Sequence, residues 1–385
     1  MSSDGYLDGL SRINRRVSLH YVVVGLGFGD EGKGATVDYL ARKLGFPDVV
    51  KYCGGHQCGH RVVTSDCKSH VFSQFGSGTL AGSKTLVGRK FIIEPFAMAA
   101  ERKALRELGF SPINKVDGEC LVTTIYHRAL NRIEQKWKRR NNTCGVGVGY
   151  TRETSLCGLD LRVEDFSDAA VAIRKLDMIR DWCVARVHSI IGVHGPSMHS
   201  SFGPELLEFE VSPRKLYRDT WKTMRFAIDS TGWVDELDQP CIFEAGQGVL
   251  LDELYGEKGV NTWSTVTARD AIALMPEGKE YEIVGAMRTY LTRHGDGDTG
   301  CSTVNVQWEE PSNGNTGPQG EFRTFHWGSH LIETAMLLAH PSILAVSHQD
   351  VYEFPAWLEE KFSQYRLING FGPAATHRRS TFEFK

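Results

Sequence analysis

Residues 21–34 read Tyr-Val-Val-Val-Gly-Leu-Gly-Phe-Gly-Asp-Glu-Gly-Lys-Gly. An apolar run that empties into a glycine-rich turn predicts a strand over 18–25 and a helix over about 32–44, ending near Gly45-Phe46-Pro47. Strand, loop and helix in that order open an α/β fold. Glycines let backbone N–H groups approach an anion and Lys33 neutralises charge, so the loop suits a polyphosphate. From Gly27 to Lys33 the spacing satisfies G-x-x-x-x-G-K. The next position, where Ser or Thr would hold Mg²⁺, is Gly34. The loop carries Asp30 and Glu31 instead. An acid among phosphates is costly unless it binds metal or takes a proton, which argues against plain nucleotide hydrolysis.

Outward from this loop, residues 48–53 read as a second strand running into Cys53-Gly-Gly-His-Gln-Cys-Gly-His60. Further strands are expected at 91–94, 121–125, 241–244, 282–287 and 343–347. Helices are expected at 96–107, 126–140, 166–191, 214–231 and 332–340. Residues 141–154 read as an irregular glycine-rich ligand loop, and 288–325 as a long Gly/Asn/Asp-rich loop of the kind that forms lids. Lys136 to Arg140 forms a basic cluster whose plain reading is a solvated helix end.

Bulk properties narrow the class. The 385 residues contain no low-complexity linker, which favours one elaborated domain. A net charge of −3 gives no electrostatic case for a nucleic-acid or membrane partner. No apolar run reaches the ~18 residues of a membrane span, and Met1-Ser-Ser-Asp-Gly5 lacks a secretory core. Nine cysteines without a secretory context favour reduced thiols and a cytoplasmic location.

Three blocks carry a resemblance: Gly29-Asp-Glu-Gly-Lys-Gly34 with Val37-Asp38, Gly54-Gly-His-Gln-Cys-Gly-His60, and Phe243-Glu-Ala-Gly-Gln-Gly-Val-Leu-Leu-Asp252. In order and spacing they resemble the adenylosuccinate synthetases, and weaker matches extend over about 20–376. The resemblance implies an α/β fold: a single large domain over 20–385, with a mostly parallel central sheet, helices on both faces and long active-site loops. Residues 1–19 are read as an extension. It also implies a ligase that deprotonates N1 of a 6-oxopurine nucleoside monophosphate, phosphorylates O6 from GTP or ATP with Mg²⁺, and displaces that phosphate with L-aspartate. A homodimer is implied too.

Carried over residue by residue, the resemblance makes Asp30 the base and a metal ligand, with Gly59 completing the metal site. His60 assists phosphoryl transfer, and Gln247 orients the purine. Gly29, Glu31, Gly32, Lys33, Gly34, Ser347, Asp350, Gly372 and Pro373 bind the donor. Gly27, Gln57, Thr143, Cys144, Arg152, Gln247 and Thr262 surround the acceptor. The chain departs from the family at several of these positions. Gly27 replaces a glutamine, Phe28 a tryptophan, Gln57 an asparagine and His348 a lysine, and Cys144 falls where a threonine is usual. The arginine-rich aspartate loop is replaced by Asn315-Thr-Gly-Pro-Gln-Gly-Glu-Phe-Arg323, which leaves Thr316, Gly320 and Arg323 for aspartate. This shorter form resembles archaeal enzymes and phage 2-aminoadenylosuccinate synthetases. The favoured acceptor is therefore dGMP, with IMP as the alternative. Three other readings compete: a nucleotide-binding regulator without ligase activity, a zinc cluster at Cys53, His56, Cys58 and His60, and a simple nucleotide hydrolase.

Overall fold

The computed structural model describes residues 19–138, 143–192, 202–234, 237, 239–306 and 319–384. Residues 1–18 of the expected extension over 1–19, the end of the basic cluster (Arg139 and Arg140) and Thr316 lie outside the described residues.

Strand β1 (His20–Gly25) is buried at every residue, as an apolar run at the centre of a parallel sheet must be. Helix α1 (Lys33–Lys43) follows the glycine loop, and β2 (Asp48–Lys51) returns to the sheet. Two antiparallel strands, β3 (His60–Val63) and β4 (Ser69–Phe72), then stand off the main sheet. After β5 (Thr85–Val87) and β6 (Ile92–Ile93), α2 (Pro95–Glu107) begins with proline at its first position. The Glu94 carboxylate caps it, accepting from Phe96 N (3.3 Å) and Ala97 N (2.6 Å). Strands β7 (Asn114–Val116) and β8 (Leu121–Val122) precede a helical region. It holds α3 (Ile125–Lys138), α4 (Val148–Leu156), α5 (Ala169–Gly192), α6 (Gly203–Leu206) and α7 (Pro213–Ala227).

The second half returns to the sheet with β9 (Ser230–Thr231), β10 (Cys241–Gly248), α8 (Arg269–Leu274) and β11 (Tyr281–Arg288). A two-stranded ladder of β12 (Leu291–His294) and β13 (Phe322–Phe325) follows. The chain closes with α9 (Ser329–Ala339), β14 (Ile343–Ser347), α10 (Ala356–Phe362), β15 (Arg366–Gly370) and β16 (Arg378–Ser380).

Ten strands form one sheet in the order β16-β15-β14-β11-β1-β10-β2-β5-β7-β9. Its pairings are parallel except β15 with β16. Side chains of β1 alternate between two cores. Val22 and Val24 pack with Ala271, Ile332 and Leu358 from α8, α9 and α10; Tyr21 and Val23 pack with Val37 and Leu40 from α1. The expected mostly parallel sheet with helices on both faces is what the chain forms. A third core joins α2, α3, α5 and α7 beside the sheet.

Two expectations are corrected. The stretch 141–154 is not irregular throughout, because Val148–Leu156 is helical. Glycines at 147 and 149 obscured it: Gly147 is the left-handed cap (φ 93°) that starts the helix. Within 288–325, four residues at each described end pair as the β12–β13 ladder, so the segment is not one long loop.

Candidate active site

Because β1 sits between β10 and β11 with the chain crossing to both sides, the C-terminal ends of β1, β2, β10, β11 and β14 share one edge. That is where parallel α/β sheets bind ligands. A cavity of about 1000 Å³ opens there. Ligand pockets run roughly 300–1,000 Å³, so this one lies at the large end of that range. Asp30, Lys33, Gln57, Gly59, His60, Thr143, Cys144, Gln247, Thr262, Ser347, Asp350, Gly372 and Pro373 all line it, as do Gly29, Glu31, Gly32 and Gly34.

The glycine loop is held from two sides. Glu31 is 2% exposed and accepts from Gly27 N (3.1 Å), Gly29 N (2.7 Å) and Lys33 Nζ (2.5 Å). A Cβ on Gly25 would meet the Glu31 carboxylate at 2.4 Å, so that strand end must be glycine for the acid to fold under the loop. From β11 and β12, the Arg288 guanidinium donates to Asp30 O and Thr292 Oγ1 donates to Gly29 O (2.8 Å). These bonds hold Asp30 at φ 61°, a left-handed conformation that costs a non-glycine residue about 1 kcal/mol or more.

The held backbone turns the Asp30 side chain, about one-fifth exposed, toward His294, with Oδ2 3.1 Å from Nε2. Burial alone would raise the Asp30 pKa. The hydrogen bond from His294 and the charges of Arg288 and Lys33 outweigh it and hold the carboxyl below its ordinary value.

His60 belongs to a buried charge knot. Its Nδ1 lies 2.5 Å from Glu244 Oε1, which also accepts from the Ser77 hydroxyl. Glu244 Oε2 accepts from Ser77 N (3.0 Å) and lies 3.6 Å from Lys51 Nζ. Glu244 and Lys51 stand opposite each other on neighbouring strands, and both are fully buried. Burial opposes the Glu244 charge, but Lys51 and His60 hold its carboxyl far below the ordinary range. Burial, followed by the charge of Lys51, lowers the His60 pKa against the pull of Glu244. A neutral ring donates from Nδ1 to Glu244 and leaves the Nε2 lone pair against Gly246 O at 3.1 Å.

Gln57 and Gln247 each leave Oε1 buried without a hydrogen-bond donor among the described residues. Cys144 Sγ accepts from Gln319 Nε2 at 2.8 Å, which links the acceptor wall to the segment expected to hold aspartate. A zinc cluster is not formed: Cys53 Sγ accepts from Gly246 N, His60 is engaged as above, and no three His, Cys, Asp or Glu among the described residues gather as a metal site.

Four candidates do not reach the cavity wall. A Cβ on Gly27 would meet Leu291 (3.2 Å), Glu31 (3.3 Å) and Trp327 (3.5 Å), so the lost glutamine vacates core space and not purine space. Arg323 donates to Gly297 O (2.9 Å) and to Gly295 O, bracing the turn after β12. Gly320 and Arg152 are also absent from the lining. In the place of Arg323 the cavity presents Arg293, which stands opposite it on β12, is 3% exposed and stacks over Phe28 at 4.3 Å. His294, Glu244, Lys51, Arg288 and Arg378 also went unassigned in the sequence. A charge inside each of the apolar runs 49–52 and 241–245 was the signal available for Lys51 and Glu244.

A mostly parallel α/β sheet with a glycine loop, an acid and a lysine at its switch point defines the class. The adenylosuccinate synthetase family model matches residues 22–315, and the chain belongs to that family. An adenylosuccinate synthetase from a Nocardioides species is 27% identical over 285 residues, 71% of this chain and 64% of that protein. One from Carboxydothermus hydrogenoformans is 31% identical over 284 residues, 72% and 64% respectively. The aligned part of the chain thus spans just under two thirds of these relatives. Among solved structures, fully ligated adenylosuccinate synthetase from Plasmodium falciparum superposes with a TM-score of 0.75 at 14% identity, covering 94% of this chain and 100% of the other. The succinoaminodeoxyadenylate synthetase of cyanophage S-2L, solved with dGMP and with dATP as energy donor, gives 0.63 at 18% identity, covering 95% and 96%. Both share the fold.

Proposed function

We propose that this chain is a ligase that joins L-aspartate to C6 of a 6-oxopurine nucleoside monophosphate, with a nucleoside triphosphate as phosphate donor. The observation that carries this reading is the convergence of Asp30, His60 and Gln247 on one cavity with the Lys33 loop. Asp30, held ionised, accepts the N1 proton of the purine. Gln247 holds the base edge with a neutral amide. His60, oriented through Nδ1 by Glu244, assists phosphoryl transfer to O6 by electrostatic stabilisation of the charge developing there. Lys33 and the loop amides hold donor phosphates, and Asp350 with Gly372 and Pro373 receives the donor base. The residues fit Mg²⁺, a cation held by one or two carboxylates together with substrate phosphates: Asp30 and the carbonyl of Gly59 would hold it. When bound it supplies positive charge for phosphoryl transfer.

For the acceptor we favour dGMP. Guanine presents N1–H and a 2-amino group where hypoxanthine presents only N1–H. Asp30, Gln57 and Gln247 all line the cavity, and carboxylate and amide side chains supply the oxygen acceptors that the extra donors call for. IMP is the second reading, favoured by the sequence relatives. GTP is the favoured donor and ATP the alternative. The cyanophage relative was solved with dGMP and dATP, which keeps the adenine donor in play. We expect a homodimer, with exposed Leu156, Leu254 and Trp263 on the cavity rim as the surface to be covered. A cytoplasmic location is part of the same reading. No helix among the described residues is long and apolar enough to cross a membrane.

The test is succinyl-nucleotide formation from L-aspartate, Mg²⁺ and GTP, with IMP, GMP and dGMP offered in parallel and repeated with ATP. A marked preference for dGMP is expected, because a site built around an exocyclic amine discriminates strongly. Preference for IMP overturns the finer reading, and no product with any acceptor overturns the ligase.

A further inference from the structure

Arg378 lines the cavity from the antiparallel edge strand β16, although it is only 6% exposed. Its Nε and Nη1 are buried and make no hydrogen bond. Its Nη2 reaches toward the start of α1, where a Cβ on Gly32 would lie 3.6 Å from it and 3.0 Å from Ser347 Oγ. The nearby carboxylate on α1, Asp38, is already bonded through both oxygens to Arg42 (3.0 Å each). Arg378 forms no ion pair with any described carboxylate. Burial pulls its pKa down to about 10, against the nearby charges of Asp38 and Asp350. A buried guanidinium without an anionic partner is expensive, and folds rarely keep one without use for it.

The end of α1 that Arg378 approaches is open. Gly32 is its cap in a left-handed conformation (φ 85°), and no side chain accepts from the first-turn amides. Free N–H groups at a helix start, the positive end of the helix dipole and a planar guanidinium together form an anion seat. Lys33 closes it from the loop side but is drawn 2.5 Å onto Glu31. The charge left over for a ligand is therefore that of Arg378.

We propose that Arg378 binds the phosphate chain of the donor triphosphate, completing the glycine loop from the opposite end of the chain. This rests on the reading of residues 29–34 as the donor site. Nη2 is the nitrogen that reaches the start of α1, and a charge-assisted hydrogen bond from it to a phosphate oxygen adds direction to the charge.

The test is calorimetric binding, without turnover, of Mg-GTP and Mg-ATP, of guanosine and adenosine, and of the acceptor monophosphate to the full chain. Wild type is compared with R378M, R378Q and R378K. The expected result is a tenfold or larger rise in Kd for the triphosphate in R378M and R378Q, and a smaller one in R378K. Affinity for the nucleosides and for the acceptor stays within twofold. Ligand-free R378M melts at or above the wild-type temperature, and its triphosphate-induced shift disappears. Should R378M fail to fold, R378Q keeps a polar side chain of similar reach and decides the matter. Wild-type triphosphate affinity in any folded neutral variant overturns the proposal. So does an equal loss for nucleoside and triphosphate, which would place the effect at the base. A wild type that binds triphosphate through Arg378 yet makes no succinyl nucleotide defeats the ligase reading and leaves this one standing. An active ligase whose triphosphate binding ignores Arg378 does the reverse.

Discussion

Two buried cations lie near the cavity, Arg378 in its lining and Lys51 joined to it through Glu244 and His60, and the fold treats them in opposite ways. Lys51 stands on β2 directly across from Glu244, and Ser77 and His60 complete the knot. Arg378 stands on β16 with two nitrogens unsatisfied. On the first wall Lys51 Nζ also lacks a hydrogen bond, but its counter-charge stands 3.6 Å away before any ligand arrives. The second wall is left unfinished on the donor side. Burying a matched pair costs desolvation that good geometry returns, whereas an unmatched charge keeps the cost until an anion arrives. A site with one wall of each kind holds its acid–base groups rigid and leaves part of its binding strength for the ligand.

The largest effect expected falls on the two groups assigned to acid–base work. Asp30→Ala and His60→Ala should each lower succinyl-nucleotide formation by about 10²–10⁴-fold, the range of a lost general acid or base, with circular dichroism unchanged. Turnover near wild type in either would remove that residue from the chemistry. Next in size is Glu244→Gln, which strands Lys51 as a buried unmatched charge. It should cost about 3–5 kcal/mol in urea unfolding, and adding Lys51→Met should restore much of that. Arg378→Met should cost nothing or stabilise the ligand-free protein. If Glu244→Gln proves the milder of the two, the contrast between the walls is wrong.

A smaller effect concerns pH. Burial holds His56, beside the catalytic loop, down to about 4, and His127 on α3 down to about 3. In the unfolded chain both take protons near pH 6.5. Below that pH the unfolded state binds more protons, so stability is complete above about 6.5 and falls as pH drops toward 4. Each histidine contributes about 1.4 kcal/mol per pH unit. His127→Gln should flatten the slope of unfolding free energy against pH over this window; an unchanged slope would show that His127 is not held neutral. Smallest of all, Lys103→Ala, which breaks the exposed pair with Glu107 (3.7 Å), should change stability by about 0.5 kcal/mol or less.

Much of this was legible in the sequence where local chemistry fixes conformation. The apolar run before Gly25 gave β1, proline after Glu94 gave the start of α2, and Ile343–Ser347 was read to the residue. The glycine blocks gave one part of the cavity lining, residues 29–34, 57–60 and 246–247. What escaped depends on partners distant in sequence. Glu244 was quoted within a block, but its meaning comes from Lys51 on the adjacent strand and His60 beyond it. His294 meets Asp30 only because β12 folds back over the loop. Arg323 is tied to the carbonyls of Gly295 and Gly297, while Arg293, its partner on the same face of the β12–β13 ladder, lines the cavity; sequence shows neither the pairing nor the bonds. The β12–β13 ladder itself hid inside a Gly/Asn-rich composition that reads as loop.

The position of β1 has a consequence during synthesis. Its neighbours are β10 and β11, so Val22 waits for Phe243 on one side and Ile283 on the other. At about 5–20 residues per second, the strand emerges from the ribosome tens of seconds before either partner exists. Throughout that interval an apolar segment with two open hydrogen-bonding edges is exposed, a natural client for chaperones. The glycine loop behind it takes shape only when the second half of the chain arrives.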